Sequence, residues 1–268
     1  MALARRSPGG PTVNEALLLA AGLIGGALNT LAGGGSFVVF PALLAVGVPP
    51  VLANATNTYA ALPGYMSGAL GFRDDIRRHA GRLLPYTLIS LVFGYVGAEV
   101  LLHVSNEAFS RIVPWLMLFA LALFVFGGRI NRFIAARAGT ARHARLAGAA
   151  LLLALLALLS VYGGFFNAGL GILLLAYLAL AGMTDIHAMN GLKLWISSVV
   201  AVIAVLRFAA SGSIDWYHGS IALVGVTIGG YAAARLAHRV PTGLIRVLVI
   251  VYTIGLTIWF FRVAYFAG

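Results

Sequence analysis

Five asparagines lie inside the apolar stretches of this chain: Asn29, Asn54, Asn57, Asn167 and Asn190. Each carries a neutral amide that donates and accepts hydrogen bonds without ionising. Ser36, Thr56 and Thr58 add hydroxyls, and Lys193 adds an ammonium as the only lysine against seventeen arginines. A charge inside an apolar helix is costly in lipid, so Lys193 should face a cavity or a partner. The alternative is that it reaches the headgroups along its apolar stem, since Asp185 and His187 mark an interface nearby. Amides, hydroxyls and an ammonium are the donors that a small oxyanion needs. The asparagines equally suit capping or bonding across a helix interface, and Thr56 and Thr58 suit a bond back to their own helix. Ser36 is a candidate N-cap as well as an anion donor.

These residues cluster where the apolar pattern is interrupted. Between Gly25 and Asn57 the chain reads GGALNTLAGGGSFVVFPALLAVGVPPVLANATN, with Gly33, Gly34 and Gly35 in a row and then Pro41, Pro49 and Pro50. Glycine and proline at membrane depth break a helix and free backbone groups that lipid cannot satisfy. The pattern returns about half a chain later as Gly163-Gly164-Phe165-Phe166-Asn167-Ala168-Gly169-Leu170-Gly171. In both places a glycine pair precedes an asparagine at the same spacing. A short apolar segment, a glycine (Gly47, Gly182) and a polar helix start follow. Matched, glycine-interrupted short segments in two halves point to a transporter binding site. The competing explanation is that the glycines only let helices approach closely.

Glu99, with His103 one helical turn on, is a candidate proton relay or an interfacial group, and Arg207 reads as an anchor at a segment end. Hydrolase, metalloprotease and P-loop motifs are absent, and no His, Asp or Glu cluster has metal-ligand spacing. The serine of Gly64-Tyr65-Met66-Ser67-Gly68 lacks a base and reads as packing. The expectation is therefore a protein that is not an enzyme, with no catalytic residues, cofactor or metal.

The elements that must position these groups follow from composition. Hydrophobic residues make up 61% of the 268 residues and charged ones 9%, with a mean hydropathy of +0.98. That excludes a soluble globular domain and leaves an all-α polytopic membrane protein. The net charge of +11 falls between apolar runs, so it marks cytoplasmic loops rather than nucleic-acid binding. Without cysteine there are no disulfides or thiolate metal sites. The N-terminus loosely resembles a signal peptide, but cleavage would remove half of the first glycine break. Apolar segments are expected at about 15–32, 36–47, 50–71, 83–103 and 112–127, and again at about 146–165, 168–182, 186–207, 216–236 and 243–265. Residues 36–47 and 168–182 are too short to cross a ~30 Å hydrocarbon core. The chain then divides into a disordered tail (1–13), a first transmembrane repeat (14–127), a basic cytoplasmic linker (128–145) and a second repeat (146–268). If the arginine-rich loops all face the cytoplasm, each half has odd parity. The repeats are then inverted, with both termini outside.

The first break and its flanks resemble the first-half signature of the TauE/SafE family of membrane permeases: paired glycines, GGG, a proline in the next segment, and a glycine before an A-x-A-T-N helix start. GGFFNAGLGILLLAYLALAGMTDIHAMNGLKLW is similar to that family's weaker second repeat, though with a thinner glycine run and without the proline. The resemblance covers residues 14–265. It implies export of a small sulfur-containing anion such as sulfite or sulfoacetate across the bacterial inner membrane. Alternating access would take place around Asn29, Gly33, Gly34, Gly35, Ser36, Asn54, Thr56, Asn57, Asn167, Gly169, Gly171, Asn190 and Lys193. An uptake carrier or channel for another anion is the alternative within transport, and a membrane-embedded enzyme or assembly factor the alternative outside it. The partners expected are the anion and the bilayer, with room for a homodimer.

Overall fold

Glycine and proline punctuation sets the element order. The structure is a computed structural model that describes residues 11–32, 34–137, 142–236 and 242–266. Every regular element among the described residues is a helix: α1 (Pro11–Ala32), α2 (Ser36–Ala45), α3 (Pro50–Gly71), α4 (Arg73–Arg78), α5 (Ala80–His103), α6 (Asn106–Arg137), α7 (Arg142–Phe166), α8 (Leu170–Leu180), α9 (Ile186–Ala210), α10 (Trp216–Leu236) and α11 (Thr242–Tyr265). The ten expected apolar segments each carry one helix, and α4 is an addition inside the first arginine cluster. α1 begins at Pro11, within the stretch expected to be a tail. The expected linker 128–145 is helical on both flanks, and residues 138–141 lie outside the described residues, as do residues 1–10 and Gly33. Thr12–Thr30, Ala80–His103 and Ile186–Ala210 are long and apolar enough to cross a membrane. The chain is an all-α polytopic membrane protein.

The 10 residues of α2 and 11 of α8 extend only ~15–17 Å at ~1.5 Å per residue, about half the hydrocarbon core. Both short helices end in the same way. Gly47 and Gly182 take φ of 92° and 82°, a conformation that glycine adopts without strain. The N–H of Gly47 bonds to Leu44 O at 3.0 Å and that of Val48 to Leu43 O at 3.1 Å. Gly182 bonds to Ala179 O at 3.0 Å and Met183 to Leu178 O at 3.1 Å. This paired closure satisfies carbonyls that the end of a helix leaves free. The starts differ. α8 is preceded by left-handed Gly169 (φ 79°), whereas Gly35 before α2 is already helical (φ −59°).

Helices in corresponding places are α1 and α7, α2 and α8, α3 and α9, α5 and α10, and α6 and α11. The main contacts follow one scheme with partners exchanged: α1 packs on α10 and α7 on α5, while α3 packs on α10 and α9 on α5. α3 and α9 also pack on each other, as do α6 and α11. Near the start of α3, Thr56 accepts the N–H of Asp215, just beyond α9, at 2.9 Å. Past its other end, Phe72 lies against His187 at the start of α9, with ring centroids 6.3 Å apart. α3 and α9 therefore run antiparallel. α6 and α11 do too, because Trp115 meets Phe261 with centroids 5.0 Å apart and Tyr265 donates to Arg111 O at 3.0 Å. Asn106, opening α6, accepts the N–H of Val51, opening α3, at 2.9 Å. These directions gather α4 and the adjoining ends of α6, α7, α10 and α11 at one end of the bundle.

Gly26 lies against Val226 and Gly230 of α10, and Gly164 against Gly94 and Ala98 of α5, close enough that a Cβ on either would run into backbone. Gly26→Val and Gly164→Val should each lower the thermal unfolding midpoint in detergent, since overpacking costs about 1–3 kcal/mol. Gly81→Ala, where a Cβ meets nothing within 4 Å, should not. Comparable midpoints for all three would refute the close approach.

Candidate binding site between the broken helices

Within each glycine pair the two residues face different neighbours. Gly26 and Gly164 carry the helix crossings just described. Gly25 and Gly163 turn toward their own short helices: a Cβ at Gly25 would lie 2.6 Å from Val39 of α2, and one at Gly163 2.6 Å from Leu170 of α8. Close packing and helix interruption are thus two faces of the same motif.

α3 brings the two breaks together. Asn54, buried, donates from Nδ2 to the carbonyl of Phe165 at 2.8 Å. That carbonyl belongs to the last turn of α7, where no intrahelical donor remains. One turn past the middle of α3, the Tyr65 hydroxyl donates to Asn167 Oδ1 at 3.2 Å and has Ser36, at the start of α2, as its other polar neighbour. Asn167 is buried, and its Nδ2 has no hydrogen-bond partner. An amide N–H left unmade in the interior is costly, so this donor is surplus to the packing of the two breaks.

Asn29 and Asn57 line a small cavity with Gly25, Gly35, Ser36 and Val39. Its volume of ≈ 10 Å³ is room for about one water molecule. A second cavity of ≈ 430 Å³ opens where α3 and α6 begin and α11 ends, and Phe40, Leu44, Pro50, Arg111, Trp259 and Phe260 contribute to its wall. α2 stands between the two: Ser36 and Val39 face the small cavity, and Phe40 and Leu44 the large one. Phe40 stacks on Phe260 (centroids 6.1 Å, 18° between planes) and meets the edges of Phe109 and Phe166 at 6.3 and 5.9 Å. Phe40 and Phe260 belong to the wall of the large cavity.

The remaining expected residues lie elsewhere or have other partners. Gly34 O accepts the N–H of Phe37 at 3.1 Å, the first bond of the new helix. Gly169 packs on Ala120 of α6. Thr56 is engaged with Asp215, and Thr58 bonds back to Asn54 O at 3.1 Å. Lys193 Nζ donates to Asn190 Oδ1 at 3.0 Å, and Asn190 Nδ2 donates to Ile186 O at 2.9 Å. The lysine stem runs beside Gly171 of α8, and Lys193 does not line the small cavity. Glu99 accepts two hydrogen bonds from Arg207, at 2.5 and 3.1 Å, with His103 at 3.6 Å. Tyr65 was not among the expected site residues. Its signal was a phenol between two glycines in a stretch otherwise read as packing.

Replacing Asn54 by Ala should leave the Phe165 carbonyl buried without a donor, at a cost of about 1–3 kcal/mol. A thermal midpoint in detergent equal to that of the parent would show that the two breaks are not joined there.

Residues 18–260 match the family described as Sulfite exporter TauE/SafE. The chain is 29% identical over 245 residues to the probable membrane transporter protein ORF9 of a Sinorhizobium species, covering 91% of this chain and 90% of that protein. It is 28% identical to a probable membrane transporter protein of Haemophilus influenzae (90% and 92% covered). To the Escherichia coli K12 probable membrane transporter protein YfcA it is 27% identical (85% and 82% covered). No solved structure matches. With the match spanning nearly the whole chain and relatives of the same length and kind, this protein belongs to the sulfite exporter TauE/SafE family of membrane transporters.

Proposed function

We propose that this transporter exports a small sulfur-containing oxyanion, of the sulfite or sulfoacetate kind, across the bacterial inner membrane by alternating access. The observation that carries the reading is the buried, unpartnered Nδ2 of Asn167 at the second break. It is tied through Tyr65 and Ser36 to the wall of a cavity lined by Asn29 and Asn57 at the first. Amide and hydroxyl donors converging from two helix breaks suit an anion with several acceptor oxygens. The cavity is smaller than such an anion, so binding requires its walls to part. α2 is the natural moving wall on the outer side, because it is short and separates the two cavities. The antiparallel packing of α3 on α9 and of α6 on α11 supports two inverted repeats, in which α8 plays the matching part on the other side. The positive-inside rule puts the arginine-rich end in the cytoplasm.

Purified protein in vesicles should take up radiolabelled sulfite or sulfoacetate, and Asn57→Ala should weaken binding by ~10-fold or more while eluting as the parent does. That is the scale of one hydrogen bond to a charged group, ~1.5–3 kcal/mol. Parental affinity in Asn57→Ala would remove the cavity from the transport path. For topology, the chain has no native cysteine, so single cysteines report cleanly. One at Gly81, at the start of α5, should react with an impermeant thiol reagent only from the cytoplasmic side, and one at Ser211, before the matching α10, only from outside. Labelling of both from the same side would refute the inverted arrangement.

A further inference from the structure

We infer that each turnover carries the anion's own negative charge with no proton or cation to offset it, so that the inside-negative membrane potential itself drives export. The inference rests on the proposed function of the asparagine cavity and concerns what else crosses with the substrate.

All seven Asp and Glu side chains lie within the described residues, and none lines the cavity. Glu15 hydrogen-bonds Tyr217 near the outer ends of α1 and α10. Asp74 and Asp75 lie among Arg73, Arg77 and Arg78 of α4, and Glu107 pairs with Arg111 at 2.8 Å. Asp185 caps α9 by accepting the N–H groups of His187 and Ala188. Asp215 accepts the N–H of His218 and holds its ring at 2.7 Å. Glu99, inside α5, is held by the guanidinium of Arg207 in a two-bond pair flanked by His103.

A transporter that couples an anion to protons needs a carboxylate or imidazole that meets both the anion and the two aqueous sides. One that couples to a metal cation needs a cage of oxygens, usually including a carboxylate. The cavity wall offers amide and hydroxyl groups and apolar side chains, and its neighbours Tyr65 and Asn167 are also uncharged at neutral pH. Lys193, whose ammonium would neutralise one charge of the substrate, is bonded to Asn190 away from the cavity wall. Among the histidines whose side chains are described, His79 bonds to Asp75 O and His187 packs on Phe72 at the arginine-rich end, while His103 and His218 sit at the other. Partial charges on N–H and O–H groups are enough to bind an anion in a dry site. They leave the net charge of the loaded cavity equal to that of the substrate.

The test uses the intact protein in proteoliposomes with sulfite, sulfoacetate, thiosulfate and sulfate as probes. A potassium gradient with valinomycin sets the potential, and a separate buffer gradient sets the pH difference. Vesicles made positive inside should accumulate the transported anion, and vesicles made negative inside should exclude it. The zero-flux potential should move by about 59 mV per tenfold anion gradient for a monoanion and about 30 mV for a dianion. It should stay fixed when a pH gradient is imposed at constant ionisation of the probe, for which sulfate serves. Flux that ignores the potential, or a zero-flux potential that follows the pH or sodium gradient, would overturn the inference while leaving anion transport intact. Absence of flux for all four anions would overturn the proposed function and this inference with it.

Discussion

Everything in this fold depends on how a membrane protein satisfies backbone groups freed where a helix stops halfway across. Lipid offers those groups nothing, so each break has to find partners in the protein. Where α2 and α8 run out, before the turns into α3 and α9, the answer is local, a left-handed glycine that folds two N–H groups back onto the preceding turn. At the end of α7 it is tertiary, a side-chain amide from α3 lent to the carbonyl of Phe165. A break is tolerable because another helix is built to meet it. That requirement ties α3, which belongs to the first half, to a carbonyl that belongs to the second.

The same economy explains why polar groups collect at the centre. An asparagine that repairs a backbone break must lie at the break, and any donor left over after the repair lies there too. Asn54 Nδ2 repairs the Phe165 carbonyl, Asn167 accepts from Tyr65 through Oδ1 while its Nδ2 has no partner, and Asn29 and Asn57 face the small cavity. Structural repair and spare hydrogen-bonding capacity grade into one another along a few residues. The aromatic rings around Phe40 pack on one another beside the larger cavity, with surfaces that make no hydrogen-bonding demand.

Much of this was legible in the sequence. Helix positions follow from apolar runs, the two short helices from glycines and prolines, and their matching closures from Gly47 and Gly182. Family membership follows from the same residues. The division between Gly25 and Gly26, one facing the short helix and the other a distant crossing, was not legible, because adjacent residues reveal their faces only when the neighbours are known. The Glu99–Arg207 pair joins residues 108 positions apart, and no local pattern announces it. Lys193 looked like an anion ligand because it is solitary. Its partner is an amide three residues back, and whether that pair borders a cavity depends on the placement of α8. Tyr65 was obscured by its setting, since a tyrosine among glycines on an apolar helix reads as filler until its hydroxyl is seen to reach the other half.

The exchange of partners between halves has a consequence for how the protein is made. The seam between α5 and α7 joins Ser90 and Ser160, 70 residues apart, so it closes once α7 has been inserted. The seam between α1 and α10 joins Thr30 and Gly230, 200 residues apart. At ~5–20 residues per second of synthesis, α1 waits roughly 10–40 s in the bilayer before its glycine face is covered. A helix made early thus has one face among the last to be packed. Throughout that interval its small-residue groove is open to any other helix in the membrane, including α10 of a neighbouring chain that has not yet packed on its own α1. Fidelity of assembly at α1 is therefore set by how quickly the chain's own C-terminal half arrives.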